Sequence, residues 1–579
     1  MTEDGLSIAE NESARPIGEA RPSPETRDGP AVSLNHFGFP LRERRKLGVC
    51  GCALLFVAIA GLVIRLTLIS GSMPYVGHID EKEISQRAVG ILQTGDFNPH
   101  FFEYPSLPIY LATIGFTVGF LDACGKQKIR NSSQIGSVDY PFYSQPTVVH
   151  PARVLFAVLS ILSLAFLALI TYELTGLAVC LFLAPLIASA STVYLFLSWK
   201  YLNVDIVGAF FVMATLSYLL WHRDTRWSYR DSLNAGVLCG LTVACKYTLF
   251  PILLPGFLMI WFSRSETKVI QSGVLMGAAA VGFLVATPYA LLDFSTFLND
   301  VGAAAYHYGR GHPGFEATPG WHQTVYYVSH IVGDFGPLSP ILAFVGAAYV
   351  LSSNWRRGTA FLSFPIAHLA YLSIQRAHFV RHETSSFLLF AALIAIGLVA
   401  VPRSASEGLS YTRLWIHARR IGSAIGAISL VALVYTLPWG RIADAYDLTP
   451  DSRNLAVQWI KSNLADGATI RVPPELGLRT GALEKRFRLL PIDFHQLDPS
   501  DLAPGSYVLL PRYGYDSRQP RGMEAANMRN EAVARLKVRV LVEMGKEFLA
   551  VNYREPIAAG NPSIRIAELE DDRLFKGPR

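Results

Sequence analysis

The sequence predicts a polytopic α-helical membrane protein of about eleven transmembrane helices, followed by a small C-terminal α/β domain on the extracytoplasmic side. Three observations predict it. Hydrophobic residues make up 51% of the 579 residues and charged residues 17%, against about 25% charged in soluble domains. Mean hydropathy is +0.30. Apolar runs close to the length that crosses a bilayer as helix recur along the chain, and basic residues gather in the short loops between them. The net charge of +6 therefore reads as loop charge that orients the spans, with no nucleic-acid partner. The same balance excludes a single soluble globule, a disordered chain and a secreted disulfide scaffold. Cys50, Cys52, Cys124, Cys180, Cys239 and Cys245 lie mostly in or beside apolar runs. They have no zinc-finger spacing, so they read as small membrane residues rather than a disulfide framework.

Residues 1–46 are rich in Pro, Ser, Glu and Arg and lack apolar periodicity, which predicts a disordered segment. The cluster Arg42, Arg44, Arg45 and Lys46 precedes the first apolar run and places this segment in the cytoplasm. Spans are expected near 48–69, 152–173, 177–198, 203–221, 233–248, 250–263, 269–290, 337–353, 358–375, 385–401 and 419–437. They form a domain over 47–437 with long outer loops at 70–151 and 291–336. The apolar stretch 105–122 is decided by charge. If it does not cross, the loops holding Arg223, Arg226 and Arg230, then Arg264 and Lys268, then Arg356 and Arg357, then Arg413, Arg419 and Arg420 all fall inside. It is therefore read as a re-entrant or juxtamembrane helix on the outer side. Residues 438–579 read as a soluble α/β domain outside. Asp451 caps a helix carrying Leu455, Trp459 and Ile460, and strands are expected at 468–472, 507–510 and 564–566.

Candidate chemistry collects on the outer side. Asp80 and Glu81 open the first outer loop, before a helical stretch with Ile84, Ala88 and Leu92 on one face. Asp80 is either the N-cap of that helix or a working carboxylate. Glu103 and Tyr104 sit among aromatics and prolines, suited to a sugar or polar head group, or to an aromatic interfacial belt. Arg153, Lys200, Asp205 and Lys246 stand near outer span ends, where ionisable groups are costly. Long basic side chains there can snorkel; Asp205 is too short to do so. The second outer loop contributes His312 in a Gly-rich stretch, and Arg381 lies in a basic aromatic cluster at a later span. Carboxylates beside cations on one rim suit a lipid-linked phosphate substrate: Arg or Lys holds the phosphate and a carboxylate serves as base. No Gly-x-Gly-x-x-Gly follows a strand. A divalent metal is compatible with this chemistry and not implied by any ligand spacing.

The order of these motifs resembles the GT-C superfamily, and within it the protein O-mannosyltransferase and aminoarabinose transferase-like (PMT-like) bacterial membrane glycosyltransferases. The resemblance runs over most of 47–475. It includes His78-Ile79-Asp80-Glu81, Phe102-Glu103-Tyr104-Pro105, Asn203-Val204-Asp205, Lys246-Tyr247-Thr248, Thr287-Pro288-Tyr289 and Asp451 to Ile460. It implies a polyprenyl-phosphate sugar donor, an inverting transfer, Asp80 as general base, Glu81 orienting base or acceptor, and Glu103 as the acidic residue of the second loop motif. Where aminoarabinose transferases carry a Lys after that acid, this chain has Tyr104, which moves phosphate contact to other basic residues. Arg381 matches a family Arg-Tyr pair only through its arginine. The expected enzyme is a bacterial plasma-membrane glycosyltransferase acting on a glycolipid, polysaccharide or protein acceptor. The other readings are a secondary transporter or lipid flippase, which places polar groups near the bilayer midplane in repeated halves, and a non-catalytic export subunit of the same fold.

Overall fold

The structure, a computed structural model, describes residues 41–570 apart from 79, 137–141, 222–226, 313–314, 411–416, 498–501, 515–519, 548, 552–555 and 558–560. The segment expected to be disordered, through residue 40, and the basic loop residues Arg223, Arg226 and Arg413 lie outside the described residues. The chain divides into two compact units, residues 1–47 and 48–579, and the second holds the apolar helices and the C-terminal sheet.

The apolar runs form helices α1 (Leu41–Ser72), α2 (Glu81–Thr94), α3 (Leu107–Gly125), α4 (Pro146–Thr175), α5 (Cys180–Ser189), α6 (Thr192–Trp199), α7 (Val204–Trp221), α8 (Tyr229–Val243), α9 (Leu253–Phe262) and α10 (Lys268–Ala286). They continue as α11 (Tyr289–Leu292), α12 (Phe294–Arg310), α13 (Trp321–Phe335), α14 (Ser339–Ser353), α15 (Trp355–Ser373), α16 (Thr384–Ser410), α17 (Ala418–Thr436) and α18 (Trp439–Ala445). Six helices are long and apolar enough to cross a membrane, or up to nine if each bent pair is one span. The pairs are α5–α6, α13–α14 and α17–α18. Leu55, Phe56 and Ile59 on α1, and Val269, Val281 and Val285 on α10, are exposed. Rows of large apolar side chains facing outward are the surface a bilayer covers. The chain is a multi-pass membrane protein. The expected spans 233–248, 250–263 and 358–375 form helices that fall short on length or hydropathy. The second outer loop is mostly helix: α12 carries Phe294, Phe297, Leu298 and Val301 on one stripe and buries nothing within the protein, as an interfacial helix does.

The helix ends gather at two poles. At one, Arg357 at the start of α15 donates to the carbonyl of Glu173 (3.0 Å) and to that of Leu220; these close α4 and α7. At the other stand the end of α1 and the starts of α4, α7 and α16, joined by ion pairs. Helix α3 is apolar enough to cross, and its start lies at this second pole. The Ser106 N–H donates to Thr287 at the end of α10 (3.4 Å). Further along α3, Gly119 lies so close to α4 that a Cβ would come 2.3 Å from the Val148 carbonyl. Between the poles a core of Phe361, Phe364, Phe387, Leu388 and Ile394 is buried.

The C-terminal residues form α19 (Ser452–Asn463), β1 (Thr469–Val472), β2 (Arg488–Pro491), β3 (Tyr507–Pro511), β4 (Tyr513–Gly514), α20 (Pro520–Arg535), β5 (Val538–Met544), β6 (Leu549–Val551), β7 (Pro556–Ile557) and β8 (Ile564–Leu569). The main sheet runs β2-β1-β3-β8-β5, parallel around β1 and antiparallel around β8. Asp451 caps α19 by accepting the Arg453 N–H at 3.0 Å. This domain is seated on the loop after α1. The Asp451 N–H donates to the Gly71 carbonyl (3.0 Å), the Asn454 amide to that of Met73 (2.7 Å), and Arg453 lies 3.7 Å over the Tyr75 ring.

Candidate active site

The loop between α1 and α2 carries the two adjacent acids, and the fold sends them to different places. Asp80 stands at the N-cap position of α2 with helical backbone angles, φ −66° and ψ −22°, and its side chain caps nothing. A residue already turned into the helix cannot fold its carboxylate back onto the first N–H groups, so the N-cap reading gives way. The carboxylate reaches outward to Arg381 Nη2, at 2.7 Å. Behind it, His78 Nδ1 accepts the Asp80 backbone N–H (3.1 Å), and its ring stacks on Tyr201 with centroids 4.7 Å apart. Burial and the nearby Arg381 charge pull the His78 pKa below the usual histidine range, against the opposing pull of Asp80. The imidazole is therefore neutral, with Nδ1 as acceptor and its proton on Nε2.

Arg381 belongs to a short 3₁₀ turn, Val380–Glu383, that leads into α16. Its guanidinium lies 4.6 Å over the Phe379 ring, and its Nε is 3.8 Å from Asp205 Oδ2. Asp205 sits in the first turn of α7, where Asn203 ties down the chain: the Asn203 side chain donates to the carbonyls of Leu197 (2.7 Å) and Tyr201 (3.0 Å) and accepts the Ile206 N–H (3.0 Å). Asp205 Oδ1 meets Lys246 Nζ at 2.5 Å, in the break between α8 and the 3₁₀ turn Tyr247–Ile252. Asp80, Arg381, Asp205 and Lys246, from four separate elements, thus form one line of alternating charge. They line a narrow cleft together with Tyr104, Tyr201, Tyr308 and His382. Its free volume is about 10 Å³, room for a single water. The Tyr308 hydroxyl lies 3.5 Å from His382 Nε2. Burial pushes the Tyr308 phenol up to about 12 and raises Tyr104 well above the ordinary tyrosine value. Both keep their protons at neutral pH and can donate hydrogen bonds into the cleft.

Glu81 is the contrasting case. Its carboxylate accepts Arg153 Nε (2.8 Å) and Nη2 (2.7 Å), the Gly77 N–H (3.0 Å) and the Leu202 N–H (3.1 Å), and it is fully buried. Arg153 is completed by Ser72 (3.1 Å) and the Tyr75 carbonyl (2.9 Å). Both are engaged with groups of the protein, away from the cleft. Glu81, expected to orient the base or the acceptor, and Arg153, expected to bind substrate, do not line the cleft; they pair with each other and join the loop carrying Asp80 to the loop carrying Tyr201.

Other expected site residues also fall elsewhere. Phe102 is buried and Tyr104 half-buried, both turned inward, while Glu103 between them is exposed and outside the cleft. The chain bends at residues 103–104, with Phe101 and Phe102 buried before the bend and Glu103 left on its outer side. Glu103 is held above the usual carboxylate range by partial burial and by Asp300 and Glu83. His312 packs against Phe379, with centroids 5.4 Å apart, and its Nδ1 lies 3.3 Å from His307 Nε2. It backs the residue under Arg381 without lining the cleft. Lys200 faces a different cavity. Tyr104, Asp205, Lys246 and Arg381 are brought together with Asp80. Tyr308 belongs to the second outer loop and His382 to the basic aromatic cluster that the sequence pointed to, whereas Tyr201 was not singled out, although it stands beside Lys200. Among the described residues, no group of three or more His, Cys, Asp or Glu is placed to hold a metal ion.

No family model and no curated protein matches the sequence. Among solved structures, the chain is similar to ArnT from Cupriavidus metallidurans bound to undecaprenyl phosphate, at 13% identity over 91% of this chain and 99% of that one, TM-score 0.48. It is similar to the Archaeoglobus fulgidus oligosaccharyltransferase AglB in complex with an inhibitory peptide and a dolichol-phosphate, at 13% identity over 76% and 64% of the two chains, TM-score 0.44. A third is the mycobacterial arabinofuranosyltransferase AftD, at 11% identity over 90% and 40%, TM-score 0.41. The chain is similar in outline to solved GT-C glycosyltransferases. At these TM-scores the likeness is one of outline, and the functional reading rests on the chain's own residues.

Proposed function

We propose that the chain is a membrane glycosyltransferase. It moves a sugar from a polyprenyl-phosphate-linked donor to an acceptor hydroxyl at the outer face of a bacterial plasma membrane, with inversion and with Asp80 as general base. The observation that supports it most is the line Asp80–Arg381–Asp205–Lys246 along a cleft. Two acids balance two cations there, so an incoming phosphate must take a cation from a carboxylate. Arg381 is the one that can change partner, being held between Asp80 and Asp205. When the guanidinium turns to the phosphate, the Asp80 carboxylate is released from it and can accept a hydrogen bond from the acceptor hydroxyl.

The acceptor oxygen then attacks the anomeric carbon, Asp80 takes its proton, the bond from the anomeric carbon to the phosphate oxygen breaks, and the negative charge that leaves rests beside Arg381 and Lys246. A phosphate leaving group needs cations more than a proton, which is why one base suffices where glycoside hydrolysis uses two carboxyls. The lipid donor class belongs to the same proposal; ArnT and AglB were solved with undecaprenyl phosphate and a dolichol-phosphate. We assign the Asp80 pole to the outer side because Arg356 and Arg357 mark the opposite pole as cytoplasmic. An extracytoplasmic C-terminal domain follows from that assignment; about eleven crossings further requires that the shorter or less apolar helices α8, α9 and α15 also cross. The acceptor is a glycolipid, a polysaccharide or a protein.

The test is transfer by the purified full chain in lipid nanodiscs, supplied with radiolabelled polyprenyl-phosphate sugars or with the matching nucleotide sugars. Label reaching an acceptor from the lipid donor is the expected result. Label taken up only from nucleotide sugars, or from neither, rejects the proposal.

A further inference from the structure

The chain between α6 and α7 separates two cavities. Tyr201 to Asp205 line the cleft, whereas Trp199 and Lys200 face a second space between the end of α1 and the C-terminal domain. Its volume is about 280 Å³, near the lower end of small-ligand pockets. The divide is tight: Gly77 lies so close to the Lys200 carbonyl that a Cβ would come within 2.1 Å of it.

Lys200 is 7% exposed. Among the described residues no hydrogen bond or ion pair reaches its Nζ, which lies 5.0 Å from the centre of the Trp199 ring system and 5.8 Å from that of Phe196. A buried ammonium without a hydrogen-bond acceptor is costly. Three of the four acids of the cavity are committed elsewhere, and the fourth, Asp444, lies 3.9 Å from Lys546. Asp451 is held by Arg453 at 2.9 and 2.8 Å, Asp447 by Lys546 at 3.3 Å and by the Thr449 N–H at 3.0 Å, and Glu547 by the Asn561 N–H at 2.7 Å. Each carboxylate still has lone pairs to accept a further hydrogen bond.

The free valences of this cavity are therefore mixed: a strong donor, several acceptors and aromatic surface. A phosphate would meet four carboxylates, and a cation would meet two lysines. A neutral sugar ring suits all of them, because its hydroxyls accept from Lys200, donate to the carboxylates and leave a C–H face for the aromatic rings. We propose that this cavity binds a neutral sugar ring of the acceptor, on the far side of the Lys200–Asn203 segment from the donor cleft. This rests on the glycosyltransferase reading and narrows it: the acceptor is itself a glycan or carries one.

The experiment is saturation-transfer NMR on the detergent-solubilised full chain without donor, using neutral trisaccharides of glucose, mannose, galactose and arabinose as probes. At least one is expected to bind, with its Kd raised tenfold or more by Lys200→Met and by Thr449→Trp, which fills the cavity from its exposed rim. Inorganic phosphate is expected not to compete. Binding by none of the four, competition by phosphate, or binding that both variants leave unchanged overturns the proposal. Asp80→Asn is expected to keep trisaccharide binding, so a failed sugar site and a failed transferase are read separately.

Discussion

Asp80 and Glu81 are adjacent acids with opposite surroundings. The Glu81 carboxylate is sealed by an arginine and two backbone N–H groups. The Asp80 carboxylate keeps about a quarter of its surface and leans on an arginine shared with a second acid. A buried pair engaged within the protein resists change, and its role is to hold geometry. A shared, partly open pair can exchange partners, and its role is chemistry. The difference teaches that charge at a membrane boundary identifies a site only when it faces the cleft.

The comparison can be broken first at the Glu81–Arg153 pair. Removing one partner of a buried ion pair costs about 3–5 kcal/mol, so Glu81→Gln is expected to lower thermal stability and the yield of folded protein, read by a melting curve. A stable Glu81→Gln protein would mean that the pair does not hold the loops. A smaller effect is expected at the exchanging arginine. Arg381→Met should weaken donor use by roughly 1.5–3 kcal/mol, the range for hydrogen bonds to charged groups, seen as a higher KM for the lipid-phosphate sugar with little change in melting temperature.

Smaller still is the contribution of His78. Its depressed pKa means that the unfolded chain takes up a proton, near pH 6.5, that the folded turn resists. The stability it provides is thus fully present above that pH and is lost as the pH falls toward the folded value. Protonation also removes the acceptor for the Asp80 N–H, so activity should decline with acidity, and His78→Phe should flatten this acid limb in a pH–rate profile. The smallest effect is expected at Glu103. Glu103→Gln, outside the cleft, should change stability by no more than about 0.5 kcal/mol and transfer less than Arg381→Met does.

The helices were legible because length and apolar composition are local properties: α1, α4, α7 and α16 lie where the runs predict them. Asp80, Asp205, Lys246 and Arg381 could be picked out as ionisable groups at helix ends. Their pairing could not, since Asp80 and Arg381 are distant in sequence and meet only through the turn before α16. Local backbone angles decided the remaining cases. Glu103 stands on the outer side of a bend, and the helical conformation of Asp80 leaves its carboxylate to pair with Arg381 instead of capping α2. Lys200 and Tyr201 are consecutive yet face different cavities, because the chain reverses between α6 and α7. The Gly-rich second loop disguised an amphipathic helix whose apolar stripe, Phe294 to Val301, precedes the glycines.

The most direct measurement compares transfer from a polyprenyl-phosphate sugar by the wild-type chain and by Asp80→Asn, with melting curves on both. A general base contributes about 10²–10⁴-fold, so the variant is expected to lose at least a hundredfold in rate while melting like the wild type. Equal rates from the two proteins would contradict the assignment of Asp80 as the base.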